Sequence, residues 1–141
     1  TGWGERMVRR VLVVDDEPNM SFTLQLMMHK AGYQVQLARN GNEALNAMAE
    51  FQPQAVLLDA MLPDRDGFEI CEAIRAAPEW AGVKIILLSA KARDIDRQKG
   101  LAVGADAFVA KPFSPREVLQ RVTDLLGLGD NSDASGGQSK G

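Results

Sequence analysis

The sequence predicts an α/β protein, built as an open, doubly wound parallel sheet of five strands with helices on both faces. Five short aliphatic runs occur along the chain, and stretches with the helical spacing of apolar residues lie between and after them. Several of these runs are apolar without alternation, as is typical of parallel strands covered on both faces. Right-handed crossover connections then place the helices on the two sides of the sheet.

The aliphatic runs define the strands. The first ("VLVVD"), third ("AVLLD") and fourth ("KIILLS") are the runs without alternation, and "QVQLA" and "AFVAK" complete the set. In chain order, the predicted strands cover residues 11–15, 34–38, 55–59, 84–89 and 107–111.

Helix-breaking residues delimit the first four predicted helices. Pro18 suits the first turn of the first helix, which ends near Gly32, and Pro53 and Pro78 stop the second and third. The fourth ends near Gly104. The apolar residues expected on the core-facing sides are Phe22 and Leu26, then Ala44, Leu45, Met48 and Ala49, then Phe68, Ile70, Cys71 and Ile74, then Ile95, Leu101 and Ala102.

The fifth helix has a start signal of its own. In "SPRE", Ser114 is the predicted N-cap, Pro115 the first helical residue and Glu117 the partner in a capping box. Its expected core-facing residues are Val118, Leu119, Val122, Leu125 and Leu126.

The composition favours a single globular domain in a reducing compartment. The chain has 141 residues, of which 45% are hydrophobic and 25% charged, and its net charge of −3 gives no support for direct nucleic-acid binding. The lone Cys71 excludes an internal disulfide and a multi-cysteine metal site. No leader or membrane-spanning run is seen, so we expect a cytoplasmic protein without a membrane partner.

The domain is expected to cover residues 8–127. Residues 1–7 lack periodicity and are interpreted as disordered or as a cloning remnant. Residues 128–141 are mostly small and polar, which predicts a flexible tail or the stub of a linker.

Polar side chains stand at the ends of four predicted strands. The first run ends on Asp15 and is followed by Asp16, and the third, fourth and fifth end on Asp59, Ser89 and Lys111. In an open parallel sheet, ligands bind beyond the carboxyl ends of the strands. We therefore expect these side chains to converge at one edge.

Three converging carboxylates need positive charge. Two carboxylates about 4 Å apart repel by about 4 kcal/mol at an effective dielectric constant of 20. Lys111 supplies one charge, and hard oxygen ligands suit Mg²⁺, which commonly shares its coordination with phosphoryl groups. The pattern predicts phosphoryl transfer with Asp59 as nucleophile. Taken alone, Asp15 to Glu17 before Pro18 is more typical of a helix N-cap, and the acids at the other strand ends favour the site instead. Glu17 is expected to be a cap or rim residue.

Four stretches carry a family resemblance. They are "VLVVDDEP", "LLDAMLPDRDG", "LLSAK" and "GADAFVAKPFSPREV", and in this order and spacing they resemble the receiver domain of response regulators (CheY-like) in two-component signal transduction. The resemblance implies a flavodoxin-like (βα)5 fold with strand order 2-1-3-4-5. It also implies a signalling phosphoacceptor that catalyses its own phosphorylation and slow dephosphorylation, with a histidine kinase or histidine phosphotransfer protein as its partner.

The resemblance implies roles for the acids. Asp59 is the expected phosphoacceptor and also a residue of the metal site. Asp16 is the expected direct Mg²⁺ ligand and Asp15 a ligand that acts mainly through metal-bound water, with Mn²⁺ as a substitute ion. Met61 is expected to lend its backbone carbonyl to the metal.

The resemblance also implies a switch. Ser89 is the hydroxyl expected to bond the phosphoryl group, Phe108 the aromatic switch residue behind it, and Lys111 the counter-charge. The peptide bond between Lys111 and Pro112 is expected to be cis. Met61 and Lys91, each two residues after a site residue, are expected at the mouth of the site, where they would tune the lifetime of the phosphoryl group.

The expected output surface comprises the fourth helix, fifth strand and fifth helix, acting on a partner or on an effector domain such as a DNA-binding one. Receivers that precede winged-helix domains usually carry a second acid before the aromatic residue, and here Ala107 takes that position. This argues against a dimer through that surface, or for a weak, phosphorylation-dependent one. Transcription factor, kinase-linked receiver and stand-alone phosphorelay carrier all remain open.

Rival functions on similar folds are less compatible with the residues. A flavodoxin needs a Ser/Thr/Gly phosphate loop after the first strand, where this chain is acidic. A haloacid-dehalogenase-type phosphatase needs an acid at Met61, and the P-loop motif is absent. The alternative left open is a phosphorylation-independent docking module on the same fold.

Overall fold

A computed structural model describes residues 9–127, and the segments predicted at residues 1–7 and 128–141 lie outside these described residues. The sheet has five parallel strands in the order β2-β1-β3-β4-β5, which confirms the predicted fold class and topology. The strands are β1 Arg10–Val14, β2 Gln34–Ala38, β3 Ala55–Asp59, β4 Lys84–Ser89 and β5 Ala107–Ala110.

Two predicted strands extend one residue too far. Asp15 lies just after β1 and Lys111 just after β5. Their amides still donate to neighbouring chain segments, at 3.0 Å to Ala38 O and 2.8 Å to Ser89 O. Both residues therefore stay fixed to the sheet while they lie beyond the last strand residue.

Within residues 9–127, five α-helices follow the strands, and a 3₁₀ turn at Pro78–Trp80 precedes β4. The second and third helices end ahead of Pro53 and Pro78, as predicted. The helices are α1 Pro18–Lys30, α2 Gly41–Phe51, α3 Gly67–Ala76, α4 Asp94–Ala102 and α5 Pro115–Leu125.

The core consists of two layers, one on each face of the sheet. Side chains of alternate β1 residues enter opposite layers, with Leu12 and Val14 in one and Val11 and Val13 in the other. The first layer contains buried residues of α2 and α3, and the second contains those of α1 and α5. Helices therefore cover both faces, which explains why the strands are apolar without alternation.

The predicted core-facing side of α1 is wrong. Phe22 and Leu26 are 61% and 44% exposed, whereas Ser21, Leu24 and Met28 are buried. Apolar residues occur on more than one side of this helix, so spacing alone does not identify the buried side. The buried set at positions 21, 24 and 28 is offset from the set that the spacing favours.

The predicted core-facing side of α4 is wrong as well. Ile95 and Leu101 are 62% and 57% exposed, and Ala102 is exposed too. The buried residue of this helix is Gly100, where an added Cβ would lie 3.0 Å from the Phe108 ring and 3.1 Å from Leu87. The helix approaches the sheet through a residue without a side chain, which a search for apolar spacing does not detect.

The start of α5 agrees with its signal in part. Ser114 is the N-cap, its Oγ accepts a hydrogen bond from the Glu117 amide at 3.1 Å, and Pro115 is the first helical residue. Within residues 9–127, no return bond from the Glu117 side chain to Ser114 is found, so half of the predicted capping box forms. Val118 and Val122 are buried, with Leu119, Leu125 and Leu126 packed partly buried against the same layer.

Candidate functional site

The sheet topology gathers the predicted site at one edge. β1 and β3 are neighbours at the centre of the sheet, and the helices that follow β1 and precede β3 cover opposite faces. This is the point where the strand order reverses, and a crevice opens there beyond the carboxyl ends of the strands.

Three carboxylates meet in this crevice. One oxygen from each of Asp15, Asp16 and Asp59 lies within 4.8 Å of the oxygens of the other two. Asp15 and Asp59 are buried, at 1% and 5% exposure, and Asp16 is exposed. Two buried acids beside a third form a strongly electronegative cluster, since burial weakens the screening by water.

Asp59 is held by two donors. Its Oδ2 accepts a hydrogen bond from the Lys111 ammonium at 3.1 Å, and its Oδ1 accepts one from the Met61 amide at 3.0 Å. Lys111 reaches it from just beyond β5, across the carboxyl end of β4. The peptide bond between Lys111 and Pro112 is cis. The carboxylate of Asp59 is therefore both oriented and partly neutralised.

Asp15 is the most buried of the three acids, and only one of its two oxygens has a donor among the described residues. Its Oδ1 accepts a hydrogen bond from the Glu17 amide at 2.9 Å, but its buried Oδ2 has no hydrogen-bond partner within the described part of the chain. Burial above all, together with the charge of Asp59, raises the pKa of Asp15 to about 6, although the hydrogen bond from the Glu17 amide acts to lower it. A buried carboxylate oxygen without a donor is costly, and a cation in the crevice would satisfy it.

The donor set fits a hard divalent cation such as Mg²⁺. The three carboxylates supply oxygen atoms that lie close enough together to bind one ion, and Asp15 has a buried oxygen without a donor among the described residues. Magnesium is typically held by one or two carboxylates with waters completing its shell, and the exposed Asp16 leaves the cluster open to solvent on one side.

Ser89 and Lys91 meet beside the acids. Ser89 is buried, and its Oγ accepts a hydrogen bond from the Lys91 amide at 3.0 Å. A cavity of about 330 Å³ opens here, and Met61, Phe68, Ser89 and Lys91 are among its lining residues. The Met61 side chain is 65% exposed. Met61 and Lys91 thus border the same opening.

Phe108 is buried beneath α4, and two of its neighbours were not found by sequence reasoning. The Arg97 guanidinium lies over its ring at 5.2 Å from the centroid and donates to its carbonyl at 3.4 Å. Gly100 leaves the space into which the ring packs. A glycine inside a predicted helix is the sequence signal that marks such a close contact.

The model of the response regulator receiver domain family matches residues 11–123. The chain belongs to this family. Receivers are signalling phosphoacceptors of two-component systems rather than conventional enzymes, in agreement with the resemblance stated above.

Solved structures of receivers agree with this assignment. The beryllofluoride-activated receiver domain of DrrB, from Thermotoga maritima, is 34% identical, with a TM-score of 0.77 and coverage of 86% of this chain and 99% of that one. The chemotaxis protein CheY4 of Vibrio cholerae is 29% identical, with a TM-score of 0.79 and coverage of 84% and 98%. The beryllofluoride-activated N-terminal receiver domain of RstA from Klebsiella pneumoniae is 29% identical, with a TM-score of 0.77 and coverage of 84% and 98%.

In this receiver, the acids at positions 15 to 17 divide between two roles. Glu17 is the N-cap of α1, and its side chain accepts a hydrogen bond from the Met20 amide at 2.7 Å. Asp15 and Asp16 belong to the carboxylate cluster instead. The helix-cap interpretation is therefore correct for Glu17 alone.

Among the described residues, no helix has the length and hydropathy that crossing a membrane requires.

The raised pKa of Asp15 predicts that neutralising this side chain raises the free energy of unfolding, and that the effect depends on pH. Above pH about 6 the folded receiver holds an ionised, buried Asp15, whereas below pH about 4 the group is protonated in both the folded and the unfolded chain. Asp15→Asn keeps the acceptor for the Glu17 amide. In EDTA at pH 7.5 we expect it to raise the free energy of unfolding by about 1 kcal/mol, measured by urea denaturation, with the gain disappearing as the pH falls to about 4.

Asp16→Asn is the matched control, because it removes the same charge from an exposed side chain. Asp16→Asn should raise the free energy of unfolding by less than Asp15→Asn does. Equal gains from the two variants, or a gain from Asp15→Asn that persists at pH 4, would contradict the assignment of the cost to burial of Asp15.

Proposed function

We propose that this receiver accepts a phosphoryl group on Asp59, in a Mg²⁺-dependent reaction, from a histidine kinase or a histidine phosphotransfer protein in the cytoplasm. A small acyl phosphate such as acetyl phosphate is a second donor. One observation carries the proposal: the buried Asp59 carboxylate lies between the Lys111 ammonium and the Met61 amide, inside a cluster of acids.

The chemistry requires an oriented carboxylate and compensation of charge. An Asp59 oxygen attacks phosphorus as the bond between phosphorus and the donor imidazole nitrogen breaks, and the imidazole leaves with the bonding electron pair. The Met61 amide and Lys111 fix the direction of the carboxylate, and Lys111 offsets the charge that develops on the phosphoryl oxygens.

Three further groups have roles toward the metal in this proposal. Asp16 would hold Mg²⁺ directly, Asp15 mainly through bound water, and Met61 through its backbone carbonyl, with Mn²⁺ able to replace the ion. When bound, Mg²⁺ supplies positive charge next to the transferring phosphoryl group. The buried Asp15 oxygen without a donor and the open side at Asp16 support this set of roles.

Phosphorylation is proposed to change the surface formed by α4, β5 and α5. Ser89 Oγ accepts from the Lys91 amide, and its hydroxyl is proposed to turn and donate to a phosphoryl group on Asp59. Phe108 is proposed to follow, which would disturb its contacts with Arg97 and Gly100 of α4. The exposed Ile95 and Leu101 then offer apolar contact area to a partner or an effector domain.

A docking module that works without phosphorylation is the second candidate. The exposed apolar side chains of α1 and α4 favour it, because they are available in the unphosphorylated chain. Beryllofluoride with Mg²⁺ separates the two candidates. A phosphoacceptor responds with amide chemical-shift changes around Asp59 and α4, whereas a docking module does not respond.

Asp59→Asn tests the phosphoacceptor assignment. Asparagine keeps the size of the side chain but lacks the nucleophilic carboxylate, so we expect no incorporation of labelled phosphate from acetyl phosphate and Mg²⁺. The measurement is acid-stable, hydroxylamine-sensitive labelling of the folded protein. Asp124→Asn, on the exposed side of α5, should label like the unmodified chain, and labelling of Asp59→Asn would contradict the proposal.

Met61→Asn tests the control of lifetime. The exposed, apolar Met61 side chain stands at the opening and is expected to hinder the attacking water. An amide there can bind and orient water, so the half-life of the phosphoryl group should shorten about threefold, equivalent to about 0.7 kcal/mol in the barrier. Met61→Leu keeps the apolar character and should leave the half-life unchanged. An unchanged half-life in Met61→Asn would rule out this role.

A further inference from the structure

The loop between β3 and α3, residues 60–66, is closed at its base. The Gly67 amide donates to Ala60 O at 2.9 Å, and Met61 and Asp66 form an isolated antiparallel bridge. A Cβ on Gly67 would lie 2.7 Å from Ala60 Cα, so this position requires glycine for the close approach of the two chain segments. The base fixes where the loop starts and ends but leaves its tip to be held by other contacts.

Asp64 anchors the tip of this loop to a different helix. Its Oδ1 accepts a hydrogen bond from the Gly41 amide at 2.7 Å, and its Oδ2 accepts one from the Asn42 amide at 3.0 Å. These amides belong to the first turn of α2, whose N–H groups have no partner within the helix. The hydrogen bonds, that from Gly41 first, lower the pKa of Asp64, so the carboxylate stays ionised near neutral pH.

The N-terminus of α2, to which Asp64 binds, is held in place by its own cap and by packing in the core. The Asn40 side chain caps α2 by accepting from the Glu43 amide at 2.8 Å. Further along α2, Ala44, Ala47 and Met48 are buried in the core. Asp64 therefore connects the loop to a fixed point of the structure, 22 and 23 residues away in the sequence.

The same loop carries Met61. The Met61 amide orients Asp59 Oδ1, and its carbonyl is the proposed metal ligand. The side chain of Met61 is 65% exposed and gives the backbone little packing to hold it. The position of the carbonyl thus depends on how the loop is held at its base and at its tip.

We propose that Asp64 is a positioning residue for the metal site, acting through the β3–α3 loop to fix the Met61 carbonyl. The inference rests on the proposed Mg²⁺-dependent function. Asp64 itself is exposed and caps α2, so its effect on the metal comes from the loop geometry that its two hydrogen bonds maintain.

Isothermal titration of the receiver with Mg²⁺ alone tests this role. Asp64→Ala removes both acceptors, and we expect the dissociation constant to rise about fivefold, equivalent to about 1 kcal/mol. Asp64→Asn keeps one carbonyl oxygen as an acceptor, so its Mg²⁺ dissociation constant should rise only about twofold. Amide hydrogen exchange should become faster at Gly41 and Asn42 in Asp64→Ala, which checks directly that the anchor is lost.

Asn40→Ala is the matched control. It removes a cap from the same end of α2 but leaves the loop contact intact, so the melting temperature should fall comparably while the Mg²⁺ dissociation constant stays that of the unmodified protein. If Asp64→Ala does not fold, the comparison of Asp64→Asn with Asn40→Ala decides.

Two results would overturn the inference. Unchanged affinity in Asp64→Ala would show that the loop does not need the anchor. Equal losses of Mg²⁺ affinity in Asp64→Asn and Asp64→Ala would show a simple effect of charge, since both variants remove the same negative charge. Failure of the proposed function looks different, because then the unmodified receiver itself binds no Mg²⁺, and both ideas fall together.

Discussion

Repulsion among the carboxylates of Asp15, Asp16 and Asp59 is the constraint on which the rest of this receiver depends. Two of these groups are buried, and within the described residues Lys111 is the one cation found in ion-pair distance of the cluster. Burial of an ionised acid opposes folding, and the neighbouring charges add to that cost. The cluster persists because the remainder of the fold is stable enough to hold it, and its excess negative charge makes it a site for a divalent cation and a phosphoryl group.

The fold supplies that stability through two core layers and a set of local anchors. The central strands are apolar over residues 11–14 and 55–58, so the acids that follow these stretches lie at the edge of the sheet without weakening the interior. Each acid near the crevice then has a separate structural duty: Glu17 caps α1, Asp66 caps α3, and Asp64 joins the β3–α3 loop to α2. In the cluster, by contrast, Asp15 keeps a buried oxygen that has no donor among the described residues, and a cation can bind there.

Much of this arrangement could be predicted from the sequence, and the failures have physical causes. Parallel strands covered on both faces leave an unmistakable apolar run, and the residue that ends each run identifies the edge. Spacing did not identify the buried side of α1, because Phe22 and Leu26 form a second apolar set that faces outward. It also failed for α4, which packs through Gly100 onto Phe108. The anchor at Asp64 joins residues distant in the chain, and no local pattern encodes such a contact.

Helix α4 carries exposed apolar residues and lies over the buried Phe108. Its contact with the sheet rests on a glycine and an aromatic ring, with Arg97 bridging the two elements. We infer that the acid cluster is incomplete without a divalent cation. The melting temperature of the unmodified receiver at pH 7.5, measured during titration with MgCl₂, tests this inference most directly. We expect the melting temperature to rise continuously with the logarithm of the Mg²⁺ concentration, which corresponds to about 2.7 kcal/mol of added stability at 100 times the dissociation constant. An identical response to NaCl at matched ionic strength would contradict it.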